Sequence, residues 1–274
     1  MRTKSIIESF YPTLTKTEKQ IADFILHDHD NEIVCLSLSE VSSKLNIGEA
    51  TIVRFCRKID FKGYQDLKFA IALDDAKTEE IYDANNYLDI IEKNIVDSIH
   101  DTKNIIDMKQ LEKGVKMISD AEQLYFYGAG SSAFVAEMAE ERFLRVGRRG
   151  KSIKESHLQC AQSSICNEKD VIVVISISGS TKDLYEAVHI AKENDCKIIT
   201  VTNHINSPMA KISDCVLLTS GKENPITGGT MVSMISQMYT LDLLCSGYAM
   251  LNAEASYRYK EKVARAINKK LDQK

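Results

Sequence analysis

Val171-Ile172-Val173-Val174-Ile175-Ser176-Ile177-Ser178-Gly179-Ser180-Thr181 begins with five consecutive β-branched apolar residues and ends in a Ser/Gly/Thr turn. A strand that is apolar at every position is covered on both faces, as in a parallel sheet with helices on each side. A helical pattern follows from Asp183 to about Asn194. Similar short runs occur at Gln123–Gly128, Lys197–Thr202 and Cys215–Thr219, each separated from the next by helix-length segments. Ser152 to Gln159 is read as following a second strand. Strands alternating with helices define βαβ units. The expectation is a flavodoxin-like, five-stranded parallel sheet flanked by helices, in which the first and third strands are neighbours.

Upstream, the pattern changes. Residues 1 to about 75 have apolar positions at helical period and no β-branched run. Thr15-Lys16-Thr17-Glu18 has the form of a capping box, with a helix through Ile21, Phe24 and Ile25. Ser39–Leu45 reads as a short helix, Asn46-Ile47-Gly48 as a tight turn with a left-handed-tolerant residue at each end, and Glu49–Lys58 as another helix. Two short helices on such a turn make a helix-turn-helix, whose second helix enters a DNA major groove. Ile52, Val53, Phe55 and Cys56 are expected to face in, with Glu49, Ala50, Thr51, Arg54 and Arg57 free to face out. From Glu49 to Lys68 there are five basic residues, Lys58 and Lys62 among them, against three acidic. That local excess suits phosphate contacts, and a helical oligomerisation module with solvated Lys and Arg fits the same pattern. The expected organisation is a helical domain over 1–75, a linker and connecting helix over 76–105, and the sheet domain over 106–274. Asp74 to Asn86 forms the polar linker, and a helical pattern over 87–118 leads into the sheet.

Composition narrows the class. The chain has 274 residues, 44% hydrophobic and 27% charged, with three Pro and twelve Gly, which excludes a chain dominated by disorder. The longest charge-free stretch, Asn224–Leu241, is too diluted by polar residues to span a membrane. Met1–Thr15 lacks the apolar core of a signal peptide. Seven Cys without a Cys-x-x-Cys pair read as reduced thiols of a cytoplasmic protein. No metal or cofactor is assigned. A net charge of −4 confines any polyanion contact to a local basic patch.

Two turns carry the chemistry of the second half. The first strand ends in Gly128-Ala129-Gly130-Ser131-Ser132 and a helix runs from Ala133 to about Val146. The third strand ends in Ser176-Ile177-Ser178-Gly179-Ser180-Thr181. Each turn offers hydroxyls and the unpaired amides of a helix start, so the pair can hold a phosphate without Lys or Arg. Ser as a plain helix N-cap is the structural alternative for either turn alone. Gly128-x-Gly130-x-x-Ala133 also satisfies a relaxed dinucleotide fingerprint, with Glu155 22 residues further on as a ribose-binding acid. The second hydroxyl-rich turn counts against that reading, and no P-loop Lys motif is present.

The segment Leu38–Phe69, with Ala50-Thr51-Ile52-Val53-Arg54-Phe55-Cys56-Arg57-Lys58 and Phe61-Lys62-Gly63-Tyr64 at its core, closely resembles the N-terminal domain of the RpiR-type bacterial transcriptional regulators. From about Gln123 to Leu251, the two Ser turns resemble the SIS (sugar isomerase) domain that follows it in that family. The resemblance implies operator binding through Glu49, Ala50, Thr51, Arg54, Arg57, Lys58 and Lys62. It also implies a phosphosugar effector with its phosphate on Ser131, Ser132, Ser176, Ser178, Ser180 and Thr181. Gly130 and His157 are the implied sugar contacts, with a surface His capping a helix as the plain alternative at 157. Related isomerases use a carboxylate base near His157. Glu155 is not convincing in that role, so binding without turnover is expected, with an isomerase carrying a helical domain as the alternative. A homodimer or tetramer on a palindromic operator, regulating sugar or amino-sugar metabolism, completes the expectation. The Met- and Leu-rich stretch Thr230–Leu251 reads as a core or subunit-interface helix. Tyr257–Lys274, with seven basic and two acidic residues, reads as a solvated helix face.

Overall fold

The computed structural model describes residues 3–28, 32–76, 87–221 and 231–271. Most of the expected linker, 77–86, lies outside them, as do 222–230 at the start of the charge-free stretch and the last residues, 272–274. The described residues divide into two compact units, one ending at Asn94 and the other beginning at Ile95.

The first unit is helical: α1 (Thr3–Phe10), α2 (Lys16–Leu26), α3 (Leu38–Leu45), α4 (Glu49–Lys58) and α5 (Tyr64–Ala76). Its helix starts follow from side-chain chemistry. Thr15 Oγ1 accepts from the Glu18 amide at 3.4 Å, and Glu18 Oε2 accepts from the Thr15 amide at 2.8 Å. Ser37 and Glu40 form the same reciprocal box, at 3.3 and 2.7 Å, so α3 opens at Leu38, one residue before the expected Ser39. Asn46 ends α3 at φ 54°, ψ 42°, the left-handed cap that short polar residues tolerate. Gly48 does not use its left-handed freedom. It lies at φ −59° as the N-cap of α4. Ile52, Phe55 and Cys56 are buried as expected, with Val53 only half-buried. They meet Ile21, Ile25 and Leu67 in one apolar core. Burial pushes the Cys56 thiol up to about 12.

Next come α6 (Tyr87–Ile105) and α7 (Met108–Asp120). The helical pattern over 87–118 is therefore two helices. Asp107 separates them, its carboxylate accepting from the Lys109 amide at 2.8 Å as the N-cap of α7.

The rest alternates strand and helix: β1 (Leu124–Gly128), α8 (Ser131–Arg145), β2 (Lys151–Ile153), α9 (Ser156–Ser163), β3 (Val171–Ile175), α10 (Lys182–Glu193), β4 (Lys197–Thr202), α11 (Pro208–Ile212) and β5 (Cys215–Leu218). The strands are all parallel in the order β2-β1-β3-β4-β5. The second strand includes Ser152 and Ile153 rather than ending before them. Every residue of β3 is buried. Val173 and Ile175 join the core under α7, α8 and the long helix α12 (Met231–Leu251). Ile172 and Val174 face the opposite core, under α9 to α11. Helix α13 (Ala253–Leu271) ends the described chain. No helix among the described residues is long and apolar enough to cross a membrane. Five of the seven cysteines, Cys56, Cys166, Cys196, Cys215 and Cys245, are buried.

Candidate functional site

Parallel pairing puts the carboxyl ends of β1 and β3 side by side, with Gly128 opposite Ile175. The polypeptide leaves these neighbouring strands toward α8 and α10, which makes this the switch point where open α/β sheets bind ligands. The two Ser turns are thereby brought to one end of the sheet.

In the first turn, Gly128 sits so near the opening of α8 that a Cβ would lie 2.5 Å from the Ser132 carbonyl oxygen. Only glycine allows the strand to end that close to the helix. Gly130 is the N-cap of α8, at φ 56°, ψ −129°, and offers no side-chain cap. Helix α8 starts at Ser131, two residues before the expected Ala133, so Ser131 and Ser132 lie in its first turn. Ser131 is half-buried, and Ser132 is buried with its hydroxyl against the Gln237 amide of α12.

In the second turn, Ser176 Oγ accepts from the Gly179 amide at 3.2 Å and Ser178 Oγ from the Ser180 amide at 3.3 Å. The turn is anchored from β4: Ile177 O accepts from Thr202 Oγ1 and from the Asn203 amide, both at 3.0 Å. Gly179 lies at φ 56°, and a Cβ there would meet Ser207 Oγ at 2.1 Å. Ser180 and Thr181 are exposed, and Thr181 is the N-cap of α10 without a side-chain cap bond.

His157 is exposed in the first turn of α9. That helix is fastened to the sheet by the buried Gln159, whose Nε2 donates to Gly128 O at 3.1 Å and Ile153 O at 2.7 Å. Glu155 is the N-cap of α9, its carboxylate accepting from the His157 and Leu158 amides at 3.1 and 2.8 Å. Those two bonds hold the carboxyl below its ordinary range, as expected for an anion bonded by backbone amides. Glu155 thus serves as the cap of a helix.

On α4, Glu49, Ala50, Arg54 and Arg57 are exposed and Thr51 is half-buried. Arg54 Nη2 donates to Thr51 Oγ1 at 3.1 Å, linking two residues one turn apart. Lys62 is exposed just before α5. Lys58 differs: its ammonium pairs with Glu18 at 2.7 Å and donates to Thr13 O at 3.0 Å, so it bolts α4 onto α2. Glu49 leaves the exposed face mixed rather than purely basic.

Gln237 escaped the sequence reading. Its only signal was a polar residue repeating with Ser233 and Thr240 at helical spacing in an apolar stretch.

A helix-turn-helix followed by a doubly wound sheet with hydroxyl-rich turns at its switch point defines a DNA-binding regulator with a ligand-binding domain. Residues 1–78 match the model of the helix-turn-helix domain of the rpiR family, and residues 117–246 match that of the SIS domain. An uncharacterized HTH-type transcriptional regulator of Haemophilus influenzae is 34% identical over 89% of this chain and 88% of its own. Another, of Clostridium perfringens, is 35% identical over 84% and 86%. The solved structure of the Vibrio vulnificus NanR protein complexed with ManNAc-6P superposes with a TM-score of 0.88, at 26% identity over 97% of both chains. The chain belongs to the rpiR family of transcriptional regulators with a SIS domain.

Proposed function

We propose that this regulator binds its operator through the exposed face of α4 and that a phosphosugar in the β1/β3 crevice changes its affinity for that operator. The carrying observation is the pair of hydroxyl-rich turns on neighbouring strands, each opening a helix without a side-chain cap. A phosphate there meets serine hydroxyls and positive helix ends together. Ser131, Ser132, Ser176, Ser178, Ser180 and Thr181 hold the phosphate, and Gly130 and His157 lie beside the sugar. NanR, whose structure contains ManNAc-6P, supports the ligand class and suggests an amino-sugar phosphate as the first compound to try. Glu49, Ala50, Thr51, Arg54, Arg57 and Lys62 meet the operator, with Lys58 acting from behind as a brace. The protein works in the cytoplasm as a homodimer or tetramer on a palindromic site in control of carbohydrate genes.

The commitment of Glu155 to the cap of α9 supports binding without isomerisation. The test is a thermal-shift screen of hexose and amino-sugar phosphates, ManNAc-6P included, beside their parent sugars. A ligand at a hundredfold excess over Kd stabilises the native state by about 2.7 kcal/mol. A shift with one phosphosugar and none with its parent supports the reading. Silence across the panel overturns the effector half of it. Turnover of the bound compound, followed by loss of the aldose, overturns the non-enzymatic half.

A further inference from the structure

Four polar residues of α12 are buried along one face: Ser233, Ser236, Gln237 and Thr240. Two of them are accounted for by their own helix. Ser236 Oγ donates to the Val232 and Ser233 carbonyls, and Thr240 Oγ1 to the Ser236 carbonyl. Gln237 does something else. Fully buried, it reaches across to α8, where its Nε2 donates to Ser132 Oγ at 3.1 Å and its Oε1 accepts from the same hydroxyl at 3.3 Å. One turn before it, the buried Ser233 hydroxyl has no partner among the described residues. Burying an amide costs free energy that an apolar side chain of the same size avoids, so a purely structural helix contact does not call for glutamine here.

We infer that Gln237 is a positioning residue for the phosphate site, setting the direction of the Ser132 hydroxyl proton. This rests on the effector reading above. A hydroxyl has one proton and two lone pairs. In the free protein the proton can be donated to Gln237 Oε1. When a phosphate reaches the start of α8, the proton turns to the anion while Nε2–H still donates to Oγ. The hydroxyl keeps a donor behind it in both states, and a bond donated into an oxygen strengthens the bond that oxygen's own proton makes. The amide is suited to this because it carries a donor and an acceptor side by side. A carboxylate offers only acceptors and places negative charge behind the hydroxyl.

The experiment titrates the full-length protein with inorganic phosphate, and with the phosphosugar found in the screen, by thermal shift at pH 6 and pH 8. It compares the protein as it stands with Gln237→Glu and Gln237→Met. Each variant is compared with the parent protein at the same pH, which cancels the ionisation of phosphate itself. The expected result is a Kd for phosphate roughly tenfold weaker in Gln237→Met, the scale of one hydrogen bond to a charged group. Gln237→Glu loses more at pH 8 and recovers part of the loss at pH 6, as the introduced carboxylate takes up a proton. A structural role predicts lower thermal stability without that pH-dependent recovery. Phosphate affinities within twofold of the parent in both variants overturn the inference and leave the effector reading intact. Failure of the parent protein to bind either ligand overturns both.

Discussion

Ser176 and Ser178 use their lone pairs on amides of their own turn, which leaves each hydroxyl proton for an incoming acceptor. The turn is therefore already shaped before a ligand arrives. Replacing both serines with alanine removes two hydrogen bonds to a charged group. At about 1.5 kcal/mol each, the expected loss of phosphosugar affinity is on the order of 100-fold, measured by calorimetry, with operator binding unchanged in a gel shift. Gly179 is the more sensitive neighbour. Gly179→Ala must hold a β-carbon at φ 56° against Ser207, so a loss of roughly 1–3 kcal/mol in thermal unfolding is expected, along with the effector response. The serines and glycines of both turns were legible in the sequence because turn chemistry is local. Gln237 was not, because its meaning comes from Ser132, 105 residues away in the chain. Glu155 was visible as an acid near His157, but its use as a cap depends on where α9 begins.

Helix starts differ in how they are capped. Thr15, Ser37, Asp107, Glu155 and Ser207 each cap their helix with a side chain. Gly48, Gly130 and Thr181 make no such bond, and they open α4, α8 and α10. These three starts belong to the elements proposed to meet phosphates, of DNA or of effector, where a side-chain cap would compete with the anion for the same amides. The strands and most helices could be read from period and β-branching. The break at Asp107 could not, since one apolar pattern continues through it. The Ser37–Glu40 box passed unnoticed beside the more obvious Thr15–Glu18 one. The Thr15–Glu18 box is extended by Lys58, which with the cap bonds holds the Glu18 carboxyl below its ordinary range. Such a group contributes stability above the carboxylate pKa of the unfolded chain and loses it as pH falls through the lowered folded value. Lys58→Met should thus cost no more than about 1 kcal/mol at pH 7. The gap from the parent protein should close in acid, as read by urea unfolding at pH 7 and pH 3.

Across the whole chain, a net charge of −4 means that DNA affinity depends on few cations. Arg54→Gln or Arg57→Gln should each weaken operator binding and lower the slope of log K against log salt by about one, if each arginine holds one phosphate. The proposed coupling of effector and operator works in both directions, so adding operator DNA must shift phosphosugar affinity by the same factor that phosphosugar shifts operator affinity. Unequal factors from paired equilibrium titrations would refute a single two-state coupling.

The strand order has a further consequence for synthesis. β1 is an interior strand of the sheet, yet its inner neighbour β3, the central strand, begins only at Val171, and α12, which covers that core, at Met231. The five helices α1 to α5 and the apolar core they share, from Ile7 to Ala72, are complete in sequence by Ala76. On the ribosome, the operator-reading half can therefore finish folding before the sheet has the strand that creates its crevice. A chain stalled or nicked in that interval carries α4 but not the β1/β3 crevice proposed to hold the effector. Under the proposed function, such incomplete forms keep the reading helix and lose the response to the phosphosugar, deaf rather than merely inactive.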